Sequence, residues 1–250
     1  MIPVAVALLF AVQPAPPVVS APPVIPDDSK PAYRALSPPA CADWRVARAE
    51  DGASSLRLAI YRMWVLGFVS GFNVVGPDPT GDLLGTSSPE EFYEAIDGYC
   101  QRNPSNSVAD AMRPIAVAII RRRQGALEAT DLADGNKRRA TIEVPATCEQ
   151  WAEAGDDAFL RLARVSFLLG YLTAYNRWSS DPTGDAIGAN YDSLVEDGID
   201  TWCGEHPSGL LVGAIAPLID HVAAERAAGR LPPGGMQPND QFSPGSSTGP

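Results

Sequence analysis

The sequence is short of positive charge and of histidine. Its 250 residues contain 19 Lys and Arg against 30 Asp and Glu, which gives a formal net charge of −11, and only 2 His. This balance argues against nucleic acid or an anionic membrane as the main ligand, and it favours a basic partner. Strand-like alternation of apolar and polar residues is absent at any length, so a β-sheet protein is not expected.

The ends of the chain differ in character from its centre. Met1 to Val12 form an apolar run that is too brief to span a bilayer and suits the core of a signal peptide, so we predict export with a signal peptide at residues 1–21. No Lys or Arg precedes this run, and proline follows both small-residue cleavage points, Ala15 and Ala21. An uncleaved anchor or an untargeted tail therefore stays open. Residues 22–40 predict a proline-rich linker, and residues 228–250 a disordered tail.

The centre of the chain consists of two copies of one pattern. Asp-Pro-Thr-Gly-Asp at residues 78–82 returns unchanged at residues 181–185, an offset of 103 residues. A Cys-x-x-Trp landmark at Cys41 returns at Cys148, an offset of 107. Further landmarks at the offset of 103 are Gly67 and Gly170, Tyr99-Cys100 and Trp202-Cys203, and Pro114 and Pro217. We predict helical repeat domains at residues 41–124 and 148–227, joined by a linker at 125–147.

Apolar residues in each copy recur every three or four positions, which predicts helices. Ser88-Pro89-Glu90-Glu91 predicts the start of one helix, which should end near Cys100, and its counterpart should run from about Tyr191 to Cys203. Pro114 and Pro217 should kink or restart the last helix of each copy. The predicted fold is all-α, with two tandem small disulfide-stapled domains of three to four helices each.

Four cysteines, Cys41, Cys100, Cys148 and Cys203, occupy equivalent positions in the two copies. In a chain predicted to be exported they indicate disulfides. Three pairings are possible, and duplication favours Cys41 with Cys100 and Cys148 with Cys203, each contributing roughly 4 kcal/mol in the chain-entropy model. The alternative is a zinc site, which is disfavoured because no two cysteines lie two to four residues apart. We predict no metal and no cofactor.

The repeated pentapeptide has two interpretations. As structure, its Asp, Pro and Gly fit a type I turn, which is the favoured interpretation. As a site, Asp78 with Asp82, and Asp181 with Asp185, would present paired carboxylates to a basic partner. Calcium is not expected, because the spacing of a calcium loop is not met and two carboxylates are too few oxygens.

Small residues form a stripe on the first long helix of each copy, at Gly67 and Gly71 and at Gly170 and Ala174. Such a stripe lets two helices approach closely, within a copy or between copies, and a homodimer through it also stays open. Arg62 and Asn73 bound an apolar stretch that is too short to span a bilayer, so no membrane span is predicted in the mature chain. No set of nucleophile, base and orienting residue is found, so we predict that the protein is not an enzyme.

The landmarks resemble those of a known group. Cys41-Ala42-Asp43-Trp44 and Cys148-Glu149-Gln150-Trp151, a glycine- and aromatic-containing helix, and Cys-x-x-x-Pro at Cys100 and Cys203 are similar to the HdeA-like superfamily of small bacterial periplasmic helical proteins. That group includes acid-stress chaperones and, more loosely, Tai-type immunity proteins. The resemblance implies one disulfide per unit, a helical fold, a periplasmic location and no catalysis. The chain departs from it in being tandem, in its inserted Asp-Pro-Thr-Gly-Asp loop and in lacking the extra cysteines of the immunity branch.

Two main functional hypotheses follow. The first is a non-catalytic periplasmic binding module with acid-stress chaperone activity toward unfolded clients, because acid would neutralise its carboxylates and expose apolar faces. The alternative is an immunity-type protein that binds and neutralises a basic secreted toxin or another protein partner through an acidic surface. An enzyme with a catalytic carboxylate pair is the weakest hypothesis, because no surrounding motif supports it.

Overall fold

The computed structural model describes residues 33–50, 55–78, 80–85, 87–124, 140–144, 146–180, 183–188 and 191–231. Over these ranges the chain forms helices and two isolated bridges but no named strand, which confirms the all-α class. The predicted signal peptide lies outside the described residues, as do residues 22–32, 125–139 and 232–250 of the predicted linkers and tail.

The two copies have the same order of helices. The first copy contains α1 (Cys41–Ala49), α2 (Leu56–Val75), α3 (Pro89–Arg102) and α4 (Val108–Gln124). The second contains α5 (Cys148–Ala154), α6 (Ala158–Trp178), α7 (Tyr191–Glu205) and α8 (Ile215–Ala227), with a 3-10 turn at Leu211–Ala214 before α8. Each copy is therefore a short helix, a long helix and two helices of intermediate length.

Local sequence accounts for several helix ends. The Ser88 hydroxyl accepts a hydrogen bond from the backbone N of Glu91, and Pro89 occupies the first turn of α3, as predicted. Thr147 and Gln150 form a capping box at the start of α5. Pro114 lies inside α4 without ending it, whereas Pro217 lies in the first turn of α8, where a missing N–H has little cost.

Each short helix is fastened to the third helix of its copy at two points. The disulfides are Cys41–Cys100 and Cys148–Cys203, which confirms the pairing within copies. The tryptophan three residues after the first cysteine donates through its indole N–H to an aspartate three residues before the second. These bonds, Trp44 to Asp97 and Trp151 to Asp200, are both 2.7 Å long. The Cys-x-x-Trp landmark thus supplies a covalent and a hydrogen-bonded tether from one helical turn.

The two long helices, α2 and α6, pack in parallel at the centre of the molecule. Gly67 faces Phe167 and, four residues further along both helices, Gly71 faces Tyr171. A Cβ at Gly67 would overlap the backbone carbonyl oxygen of Phe167, and a Cβ at Gly170 would overlap that of Trp64. The small-residue stripe therefore brings two backbones into direct contact. It acts between the copies, which decides between the two locations that the sequence left open.

A single cluster of buried residues extends through both copies. Trp178 of α6 contacts Phe68 and Phe72 of α2 edge to face, with ring centroids 5.5 and 4.8 Å apart. The prediction of two tandem domains is not confirmed, because the copies share this core instead of each enclosing its own.

By length and composition, α2 is the one described helix that could cross a membrane. Its apolar window has a mean hydropathy of 1.5 and extends past Arg62, which the sequence prediction took as a boundary. However, 56% of that window is buried inside the protein. A helix at the centre of a shared core needs the same composition, so this feature by itself is weak evidence for a membrane span.

We expect Gly67→Ala and Gly170→Ala each to lower the free energy of unfolding by about 1–3 kcal/mol or more, because the added methyl group meets backbone that cannot rotate away. The matched control is Gly204→Ala in α7, where an added Cβ has no atom within 4 Å. That change should be neutral or stabilise by about 0.5 kcal/mol. Urea denaturation of the three variants measures both effects, and equal stability of all three would contradict the proposed close contact.

Candidate functional site

In the first copy the pentapeptide forms a turn in the loop after the long helix, and in the second copy the described part of it is Thr183, Gly184 and Asp185. In the first copy Asp78 Oδ1 accepts hydrogen bonds from the backbone N of Thr80 at 3.0 Å and from its hydroxyl at 2.9 Å. Gly81 and Gly184 both have φ 63°, a conformation that glycine adopts without strain. The structure therefore supports the turn interpretation.

Two of the predicted partner-binding carboxylates are buried in the protein. Asp78 and Asp185 are only 5% and 2% exposed. Asp78 Oδ2 lies 3.5 Å from Arg123, and Asp185 Oδ2 lies 3.0 Å from Arg34. These two carboxylates thus bind the chain itself, which corrects their assignment as a partner surface. Asp82 is half-buried, and Asp181 lies outside the described residues.

Sequence reasoning missed the asparagines that hold these loops. Asn73 Oδ1 accepts from the backbone N of Leu83 at 2.7 Å, and Asn176 Oδ1 accepts from that of Ala186 at 2.9 Å. Both asparagines are buried on the last turns of the long helices. They are related by the offset of 103 residues, so the duplication itself was the signal that could have identified them.

A pair of arginines at the same offset holds the loops from the other side. Arg123 of α4 donates to the carbonyl oxygens of Asp82 and Leu83. Arg226 of α8 donates in the same way to Asp185 and Ala186, at 2.9 and 3.2 Å. Each loop is thus fixed between the long helix and the last helix of its own copy.

An extended segment of the first copy crosses to the loop of the second. We call residues 33–36 strap 1. The backbone N of Arg34 donates to the carbonyl of Gly184 at 2.8 Å, and its carbonyl accepts from Asn176 Nδ2 at 2.9 Å. The backbone N of Leu36 donates to the hydroxyl of Thr173 at 2.9 Å. Thr173, Asn176 and Gly184 together form clamp 2.

The corresponding segment of the second copy crosses to the first. We call residues 140–143 strap 2. The residues that hold it, Ser70, Asn73 and Gly81, form clamp 1. Thr141 bonds to Gly81 and Asn73, both at 2.9 Å, and the backbone N of Glu143 bonds to the Ser70 hydroxyl at 3.0 Å. Straps are related by the offset of 107 and clamps by 103, so the exchange is pseudo-symmetric. The copies are interlocked by it as well as packed.

The two straps differ in charge. Strap 1 carries Arg34, which pairs with Asp185. Strap 2 has Thr141 at that position and carries Glu143, whose pKa is raised by burial and further by the nearby Asp82 carboxylate, against a weak hydrogen bond from Asn73 that lowers it. The surroundings of Glu143 therefore disfavour its ionised form.

A groove of about 760 Å³ opens on the outer face of the second copy between α5 and α7. Its floor is Trp151 and the Cys148–Cys203 disulfide, and its rim includes the exposed carboxylates of Glu149 and Glu153. Arg161 lies over the Trp151 ring with its guanidinium carbon 4.1 Å from the ring centroid, and it is 3.6 Å from Asp200. We call this surface the acidic groove.

The first copy has different chemistry at the equivalent surface. Ala42 and Val46 stand where the second copy has Glu149 and Glu153. The cysteine of α3, Cys100, is fully buried, whereas Cys203 is partly exposed in the groove. Residues 148–227 contain 13 acidic and 4 basic residues, a net charge of −9, against 10 and 9 in residues 41–124, a net charge of −1. The negative charge of the protein is therefore concentrated on the second copy.

We expect Glu143→Gln to raise Tm at pH 7. The folded-state pKa of Glu143 is raised, so the wild-type protein loses stability as pH rises from the unfolded-state value through the folded-state value. The gain from Gln should shrink to zero below a pH of about 4, where the glutamate is protonated in both states. Thermal scans between pH 3 and 8 measure it, with Glu94→Gln on the exposed face of α3 as the control for charge. A pH-independent difference would contradict the assignment.

Within the described residues, no three His, Cys, Asp or Glu side chains are grouped as metal ligands. Comparison with protein-family models, with curated proteins and with solved structures finds no match for this chain. We therefore infer the function of this chain from the geometry of its clamps and of its acidic groove.

Proposed function

We propose that the protein is a non-catalytic helical binding module whose acidic groove docks a basic segment of a protein partner. The observation that carries the proposal is the pair of exposed carboxylates, Glu149 and Glu153, one helical turn apart beside an apolar floor. A Lys or Arg side chain would lay its aliphatic stem against the partly exposed Cys203 and bring its charge to the rim.

The duplication supports this proposal. The copies share their helices, tethers and clamps, so the common scaffold is explained by stability. The acid rim and the partly exposed disulfide belong to the second copy, where Glu149 and Glu153 replace Ala42 and Val46. A concentration of charge on one copy attracts a partner of opposite charge and speeds association.

We propose further that the protein acts after export, in the bacterial periplasm. Two disulfides are compatible with an oxidising compartment, and they contain all four cysteines of the chain. The resemblance to HdeA-like proteins agrees with that location. A basic secreted toxin neutralised by this surface, as an immunity protein would do, is one partner with the required chemistry.

The test compares Glu149→Gln/Glu153→Gln with Glu91→Gln/Glu94→Gln, which removes the same charge from exposed positions of α3. Binding of a tetra-arginine peptide is measured by calorimetry at low and at high salt. We expect the groove variant to weaken binding about 2–10-fold at low salt, as two exposed ion pairs would, and the α3 variant to leave it unchanged.

A dominant partner captured from a periplasmic extract should follow the same order, retained by the wild type and the α3 variant and lost by the groove variant. Equal loss in both variants would mean that net charge alone attracts basic ligands. Unchanged binding by the groove variant would contradict the proposed docking surface.

An acid-stress chaperone is the second candidate function. The observation that favours it is that carboxylates join separate elements of the fold, since buried Asp185 binds Arg34 of strap 1 and partly exposed Asp97 binds Arg48 and Trp44. Acid in general weakens contacts that depend on carboxylates, and loss of strap 1 would uncover part of the shared core around Leu36.

This candidate predicts a reversible opening between about pH 4 and 2, with release of helicity or a rise in binding of a dye for apolar surface. Circular dichroism and dye fluorescence of the oxidised protein measure it, together with protection of a denatured client from aggregation at low pH. A protein that stays closed and gives no protection would leave the binding module as the better proposal.

A further inference from the structure

The two clamps hold different sequences by the same bonds. Clamp 2 holds Arg34-Ala35-Leu36 and clamp 1 holds Thr141-Ile142-Glu143. In both cases the clamp bonds to the backbone N–H and C=O of the first residue and to the backbone N–H of the third. A receptor that bonds to main-chain groups places little restriction on side chains, and the duplication demonstrates this tolerance within one molecule.

Residues of both copies around clamp 2 add features that would select a ligand. Asp185, 2% exposed, pairs with the guanidinium of Arg34, and Leu36 is fully buried in the shared core. Trp64 Nε1 donates to the carbonyl of Leu36 at 2.8 Å, a bond that clamp 1 lacks because Phe167 occupies the equivalent position. Arg177 stacks on Tyr33 at 4.5 Å. The strap 1 side chains held around clamp 2 are therefore an aromatic one, a basic one next to it and, two positions later, an apolar one.

Strap 1 is joined to its own copy through a bend. Ser37 has φ 44°, the one positive φ among the described non-glycine residues, and Pro38 and Pro39 follow before α1 begins. The chain bends there, between the bonds of strap 1 to the second copy and the start of α1 in the first. Apart from its non-covalent contacts with both copies, strap 1 is connected to the rest of the described chain through this bend alone.

We propose that clamp 2 is a binding site for an extended polypeptide segment of the form Tyr-Arg-x-Leu, occupied by strap 1 in this structure and able to accept such a segment from another chain. The partner chemistry is an aromatic and a basic residue followed, two positions after the basic one, by an aliphatic residue. The site is separate from the acidic groove and does not depend on it.

The experiment uses the full chain with a protease recognition sequence inserted between Pro38 and Pro39. Cleavage leaves residues 1–38 held by clamp 2 without a covalent link. We expect this fragment to co-elute with the body in gel filtration and to be displaced by excess synthetic peptide of residues 33–38, Tyr-Arg-Ala-Leu-Ser-Pro. Fluorescence anisotropy of the labelled peptide gives its dissociation constant.

The matched control peptide is residues 140–145, Ala-Thr-Ile-Glu-Val-Pro, which has the same length and register. It should bind about tenfold or more weakly, as should the first peptide with Arg34→Ala or Leu36→Asp, because each loses the ion pair, the apolar anchor or both. Asn176→Ala in the cleaved protein should weaken binding similarly. Glu149→Gln/Glu153→Gln should bind the peptide normally, which separates this site from the acidic groove.

Three outcomes would overturn the proposal. The fragment could leave on cleavage with no binding of either peptide, or it could resist displacement by excess peptide. Alternatively, the cleaved protein could lose its helical circular dichroism, which would make strap 1 a permanent part of the core instead of an exchangeable ligand.

Discussion

The direct backbone contact between α2 and α6 is the constraint on which the rest of the structure depends. With glycine at 67 and 170, the carbonyls of Phe167 and Trp64 reach the opposite helix. Two parallel helices this close leave room at their flanks for large aromatic side chains, which fill the shared core. Their carboxyl ends lie side by side, and this proximity is what allows each strap to reach the clamp of the other copy.

Most of the local structure could be predicted from the sequence because it depends on short-range chemistry. The capping residues of α3, the all-α class and the disulfide pairing follow from a few neighbouring residues and from the duplication. The exchange of straps could not be predicted, since it depends on which copy each segment contacts. Repetition alone is equally compatible with two closed domains, and only the register of α2 against α6 decides between them.

The pentapeptide shows that a turn interpretation can hold where a site interpretation of the same residues fails. Asp78 and Asp185 were candidates for a partner surface because each belongs to a pair of carboxylates four residues apart. In the structure each is buried against an arginine from a distant part of the sequence. The residues that complete the clamps, Asn73 and Asn176, occur singly in apolar helices and gave no local pattern. The acidic groove was equally hidden, because Glu149 and Glu153 become a rim only when α5 packs beside α7.

The two straps bring opposite charges to their clamps. The Arg34 guanidinium lies 3.0 Å from the buried Asp185 carboxylate, so charge attraction helps to hold strap 1 in clamp 2. Protonation of Glu143 relieves its cost of burial and its repulsion from Asp82, so acid holds strap 2 more firmly in clamp 1. A symmetric scaffold thus acquires an asymmetric response from two substitutions, Arg34 against Thr141 and Leu36 against Glu143. Strap 2, held more firmly in acid, would keep the copies joined while strap 1 exchanges with a segment of another chain, which is the behaviour that a reusable binding site requires.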